Sequence, residues 1–193
     1  MLDLQTDDTT NPNGLTQIYS SARDEWRNGP PMPEPISFPG CVALNAHEGL
    51  IVGGRSGTTT LSKAYLFDRR TAKFTRIDDI YVAASVISCV KVQRENGAPF
   101  AVCAGGHYQG HAAMSPHVYE FDYALRQLVR RSVWEMPAGS SGRFTTAMGR
   151  IFWNDLEVGY EFFPEGKDGE HWEARPELIG TPNPIALQVD FYN

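Results

Sequence analysis

The chain has 193 residues, 41% of them apolar, a net charge of −6 and a pI of about 5.3. That much apolar material supports a packed core and excludes global disorder. The acidic balance argues against a dedicated nucleic-acid or anionic-membrane surface, since both use a basic face, and no run approaches the ~18–20 apolar residues of a spanning helix.

Residues 1–14, MLDLQTDDTTNPNG, are acidic and polar, with no basic or apolar region of a signal peptide. They are expected to be a disordered or linker leader. From residue 15 onward helical periodicity is scarce. Apolar residues come in strand-length runs rich in Val, Ile, Phe and Tyr: CVAL (41–44), LIV (50–52), AYLF (64–67), VISCVKV (86–92), FAVCA (100–104) and VYEF (118–121). Asn96-Gly97 between two of them is a tight-turn signal.

The runs recur. Gly53-Gly54 closes one strand and Gly105-Gly106 closes another 52 residues later. Tyr65-Leu-Phe-Asp68 follows the first pair and Tyr119-Glu-Phe-Asp122 the second. Each is succeeded by a polar turn and a fourth strand, KFTRI (73–77) or QLVRR (127–131). Cys41 and Cys89 open matching first strands. A four-strand unit repeating about every 50 residues is the pattern of a β-propeller blade. A weaker third unit has strands at 144–148, 151–153, 160–163 and 170–174, without a glycine pair, and IALQV (185–189) opens another. The expected division is a partial blade at 15–36, blades at 37–80 and 81–134, a degraded blade at 135–180 and an opening strand at 181–193. The fold class is all-β, about three to four four-stranded antiparallel blades.

These residues resemble the kelch repeat. The glycine pairs, the third-strand tyrosines Tyr65 and Tyr119, and the fourth-strand aromatic place held by Trp26, Phe74, Leu128 and Trp172 are its landmarks. The entry Tyr19-SSARDE-Trp26-RNGPPMP looks like the landmark Tyr, the Trp and the GPPMP turn that end one kelch blade and lead to the next. Glycine permits positive φ and close backbone approach, and the aromatics fill the wedge between blades. The resemblance implies a propeller fragment, about half of a six-bladed ring, with an unpaired blade face at each end. It also implies a protein-interaction module: a recognition surface for a protein or peptide, as in BTB–kelch adaptors of cullin-type ubiquitin ligases with a BTB–BACK region absent here, or an actin-binding protein. The alternative it leaves open is an enzyme of the kelch-like oxidase or lyase type.

In a kelch blade the connection between strands two and three emerges on the same face as the connection between blades. Here these are 55–62 and 107–117, and 30–39, 78–85 and 137–144. They carry the candidate binding residues Arg55, Ser56, His107, Tyr108, His111, Ser141 and Arg143, of which Arg and Tyr are favoured interface anchors. The histidines 107, 111 and 117 lack the spacing and companion ligands of a metal site, so neither metal nor cofactor is expected. No nucleophile elbow or phosphate loop appears, so no catalytic residue is assigned. Three cysteines without a close pair suggest free, buried thiols and a reduced, cytoplasmic setting.

Overall fold

The computed structural model describes residues 2–3, 14–108, 114–136, 142–154, 159–164 and 171–176. The fold is all-β. Three four-stranded antiparallel sheets follow one another, and in each the strands lie side by side in chain order. Sheet 1 is Gly40–Ala43, Glu48–Val52, Ala64–Asp68 and Lys73–Ile77. Sheet 2 is Ser88–Gln93, Pro99–Ala104, Val118–Asp122 and Gln127–Arg130. Sheet 3 is Arg143–Ala147, Arg150–Asn154, Gly159–Phe163 and His171–Ala174. An entry hairpin, Gln17–Ser20 with Glu25–Asn28, precedes them, and Leu2–Asp3 pairs along its first strand. None of the sheets closes into a barrel. No helix among the described residues is long and apolar enough to cross a membrane.

The near-continuous apolar runs reflect sheets buried on both faces. Side chains alternate along each strand, so one set faces the preceding element and the other the following one. Ile51, Tyr65 and Phe67 of sheet 1 pack on Ile18, Met32 and Ile36 of the entry segment. Leu50, Val52 and Leu66, on the opposite face, meet Ala101, Cys103, Tyr119, Phe121 and Leu128 of sheet 2. The far face of sheet 2, with Val90, Phe100 and Val102, meets Phe144, Ile151, Trp153 and Phe162 of sheet 3 around the buried Trp134. Each fully buried Leu, Val or Phe contributes about 1.5–3 kcal/mol relative to exposure. These contacts between sheets are therefore the main cohesive force.

The repeat extends to backbone detail. Gly53, Gly54, Gly105 and Gly106 all have positive φ, from 62° to 100°. A Cβ on Gly54 would reach the Ser37 carbonyl oxygen at 2.8 Å, and one on Gly106 would reach that of Ser85 at 2.7 Å. Ser37 and Ser85 lie in the segments that enter sheets 1 and 2, so the second glycine of each pair makes room for its own sheet's entry segment. The first makes room for the next unit, since a Cβ on Gly53 would meet the Ala84 carbonyl oxygen and one on Gly105 the Trp153 ring at 2.5 Å. Phe38 and Val86, one residue on, both adopt the left-handed conformation, as do Ala72 and Arg126 in the turns before the fourth strands. The same turns are tied by an aspartate: Asp68 Oδ1 accepts the Arg70 amide at 2.7 Å, and Asp122 Oδ1 accepts the Ala124 amide at 2.8 Å.

The third-strand tyrosines reach the same entry segments. The Tyr65 hydroxyl donates to Glu34 at 2.5 Å, and Lys63 pairs with the other oxygen of that carboxylate at 2.6 Å. The Tyr119 hydroxyl accepts the Val82 amide at 3.4 Å. Burial first, and then Glu34, push the Tyr65 phenol up to about 12.

Several expectations are corrected. Cys89 and Cys103 stand opposite each other in register and form a disulfide, leaving Cys41 as the free cysteine among the described residues. Sequence spacing hid this because the two are 14 residues apart and meet only when the hairpin closes. It removes the basis for expecting a reduced setting. Cys41 has solvent access, yet its packed surroundings push its thiol up to about 12. Tyr19 lies opposite Trp26, as Phe67 lies opposite Phe74 and Phe121 opposite Leu128. It therefore occupies the place of Phe67, two residues beyond that of Tyr65. Trp172, opposite Phe162, does hold the fourth-strand aromatic place. Leu2–Asp3 of the expected leader form a strand paired with Gln17 and Ile18, while residues 4–13, the region matching the glycine pairs in sheet 3 and the strand expected at 185–189 lie outside the described residues.

Candidate functional site

Second strands end, third strands begin and first strands begin at one end of every sheet, because neighbours run antiparallel. The glycine pairs and entry segments gather there. So do the candidate binding residues that the structure describes, while His111 and Ser141 lie outside it.

Arg55-Ser56 and His107-Tyr108 are not in open loops. Arg55–Ser56 forms a short ribbon with Thr59–Thr60, and Arg55 also bridges to Ser37. His107–Tyr108 pairs with Ala84–Ser85, and Ser85 stands opposite His107. Arg55 and His107 are thus equivalent: each follows its glycine pair and pairs with the serine of its entry segment. The glycines force this, because their positive φ turns the chain back on that segment. His107 is exposed, while Arg55, Ser56 and Tyr108 are half-buried. Arg143 opens the first strand of sheet 3 and is exposed.

Electrostatics separates these residues from their neighbours. Arg130, Arg131 and Arg175, at the ends of fourth strands on the same side, are held by Glu135, Glu120 and Glu161. Arg55 and Arg143 have no ion pair among the described residues. They present unneutralised guanidinium groups able to take a carboxylate or phosphate in a two-pronged hydrogen bond.

Beside them is a cluster that sequence reasoning did not assemble. Tyr81 is 69% exposed. Arg130 lies over its ring at 4.4 Å, and the His117 ring meets it edge-on at 5.5 Å. Glu135 holds Arg130 and also His117, at 3.1 Å from Nδ1. The Arg130 bond holds the Glu135 carboxyl below its ordinary range, against a smaller opposing effect of burial. An exposed tyrosine braced in this way is a preorganised contact point. Its members come from three separate segments, with no motif to link them.

At the opposite end a recess of about 400 Å³ opens between sheets 1 and 2, over Leu66 and Ile77, with Glu48, Asp68, Thr71, Lys73, Thr75 and Arg126 around it. Glu48 and Arg126 bind across it at 2.5 Å. Among the described residues no group of His, Cys, Asp and Glu side chains has the arrangement of a metal site. Compared with known proteins, the chain matches no family model and no curated sequence.

Proposed function

We propose that this chain is a protein-interaction module made of kelch-type propeller blades, and that the end bearing the glycine pairs is its recognition face. The observation that carries this reading is the equivalence of Arg55 and His107. Two successive units fix a polar side chain at the same place, on backbone locked by the entry segment. Arg143 adds a second guanidinium without an ion pair among the described residues, and Tyr81 adds an exposed aromatic. Functional side chains held on a rigid repeat scaffold are the usual arrangement for such surfaces.

The partner class is an acidic or phosphorylated peptide, because Arg55 and Arg143, without an ion pair among the described residues, favour bidentate anions. Binding of fluorescent acidic and phosphoserine peptides, followed by anisotropy, tests it. A peptide that binds should lose about tenfold or more in affinity when Arg55→Ala and Arg143→Ala are combined. Unchanged affinity would overturn the assignment. An adaptor role in a cullin-type ubiquitin ligase is the finer proposal, supported by the kelch resemblance alone. Recovery of a cullin with the chain in its native context tests that role.

A further inference from the structure

The two outermost faces of the described fold copy faces that are packed against each other within it. At the boundary of sheets 2 and 3, Glu120 of sheet 2 is gripped by Arg94 and Arg131. Arg94 lies over Phe100 at 4.3 Å, and Arg131 over Trp134 at 5.2 Å. Sheet 3 contributes to this boundary the cross-strand pair Phe162 and Trp172, with ring centroids 4.8 Å apart and planes at 44°. The Trp172 indole N–H donates across it to the Trp134 carbonyl oxygen at 2.9 Å.

The outward face of sheet 3 repeats the gripped carboxylate of that boundary, with Phe152 at the place of Val102. Glu161, in the strand position of Glu120, is gripped by Arg150 and Arg175. Arg150 lies over Phe152 at 5.3 Å, and Arg175 over Phe163 at 5.6 Å. The entry hairpin repeats the aromatic pair of that boundary. Tyr19 and Trp26 form a cross-strand pair with centroids 5.1 Å apart and planes at 43°, nearly the geometry of Phe162 and Trp172. Ile18 faces sheet 1, so the Tyr19–Trp26 pair points away from it. Trp26 is 50% exposed, and the whole strand Glu25–Asn28 is exposed.

We propose that two copies of this chain associate head to tail, the Tyr19–Trp26 face of one seating on the Glu161–Arg150–Arg175 face of sheet 3 of the other. The arginines neutralised by Glu161 offer flat cationic surfaces, and the hairpin offers the aromatic pair that such surfaces take. The second copy is the specified partner because counterparts of both half-surfaces, the arginine-gripped Glu120 and the Phe162–Trp172 pair, already meet between sheets 2 and 3. A heterologous contact of this kind can close when each copy provides both halves.

Sedimentation equilibrium across micromolar concentrations tests it on the whole chain, whose monomer mass is 21.5 kDa. Expected is a reversible species of twice that mass. Trp26→Ala and Phe152→Asp should each raise the dissociation constant at least tenfold. Trp26 is exposed in the single chain, so its loss should leave the far-UV spectrum intact. Mixing the two variants should recover paired species, since one retains the intact tail and the other the intact head. A wild-type chain that stays monomeric, or an assembly that persists in the Trp26→Ala variant, would overturn the proposal.

Discussion

Cys89 and Cys103 face each other across the first two strands of sheet 2 and are joined as a disulfide directly beside the glycine pair. The folded, unreduced protein should therefore titrate one thiol per chain with a disulfide-exchange reagent, slowly, because burial pushes the Cys41 thiol up to about 12, and three after reduction and unfolding. Replacing both cysteines by alanine should lower stability by about 1–3 kcal/mol in urea unfolding, as expected for closing a short loop. Three thiols before reduction would refute the bridge.

Glycine substitutions should separate by site. Gly105→Ala adds a Cβ 2.5 Å from the Trp153 ring at a φ of +73°, whereas at Gly97 the space is open and only the φ of +79° is unfavourable. The first combines strain with a displaced core indole and should cost about 2–4 kcal/mol. The second should cost about 1 kcal/mol. Chemical denaturation of the two variants checks the difference, and equal losses would mean that Gly105 does not make room for sheet 3.

Glu161 is buried between two arginines. Burial pushes its carboxyl up, but the bonds from Arg150 and Arg175 outweigh it and leave the group below its ordinary value of 4.5. A lowered folded value means that the unfolded chain binds protons more readily. The stabilisation is therefore present above the ordinary value and is lost as pH falls through the lowered one. Glu161→Gln should cost about 1–3 kcal/mol at neutral pH. It should also flatten the acid limb of the stability profile. An unchanged limb would show that Glu161 does not supply it.

The Glu48–Arg126 bridge joins sheets 1 and 2 at their exposed rim, with Arg126 half in solvent. Screening should hold its contribution to about 1 kcal/mol or less. Arg126→Ala should thus shift the urea midpoint far less than Gly105→Ala. A comparable shift would mean that the rim, rather than the apolar seam, holds the sheets together.

The repeat was legible because it is written in residues with special backbone demands. Gly53-Gly54 and Gly105-Gly106 announced two strand ends, Asp68 and Asp122 two turns, and the apolar runs the strands between. Register was less legible. Tyr19 and Tyr65 look alike in sequence, but pairing is decided by the residue opposite, and the opposing partner of Tyr19 is Trp26. The disulfide and the Tyr81–Arg130–Glu135–His117 cluster were hidden for a related reason: their members meet only after strands from separate segments are aligned. Of the predicted binding residues, Arg55, Ser56, His107, Tyr108 and Arg143 lie at the expected end of their sheets. Arg55 and His107, however, sit on paired backbone, because the glycines before them fold the chain onto Ser37 and Ser85.

The segment joining sheets 1 and 2 is fastened on both sides. Ile80 and Ala84 donate their amides to Ser62 and Leu61, and Gly54 donates to Ala84. On the other side Val82 donates to Tyr119, and Ser85 pairs with His107. Such a connection is a seam, not a hinge, and it fixes the angle between consecutive sheets. Under the proposed recognition role, a ligand there would meet backbone already fixed, with little freedom left to freeze on contact. Altered specificity would, in that role, come from exchanging side chains along the seam rather than from lengthening its loops.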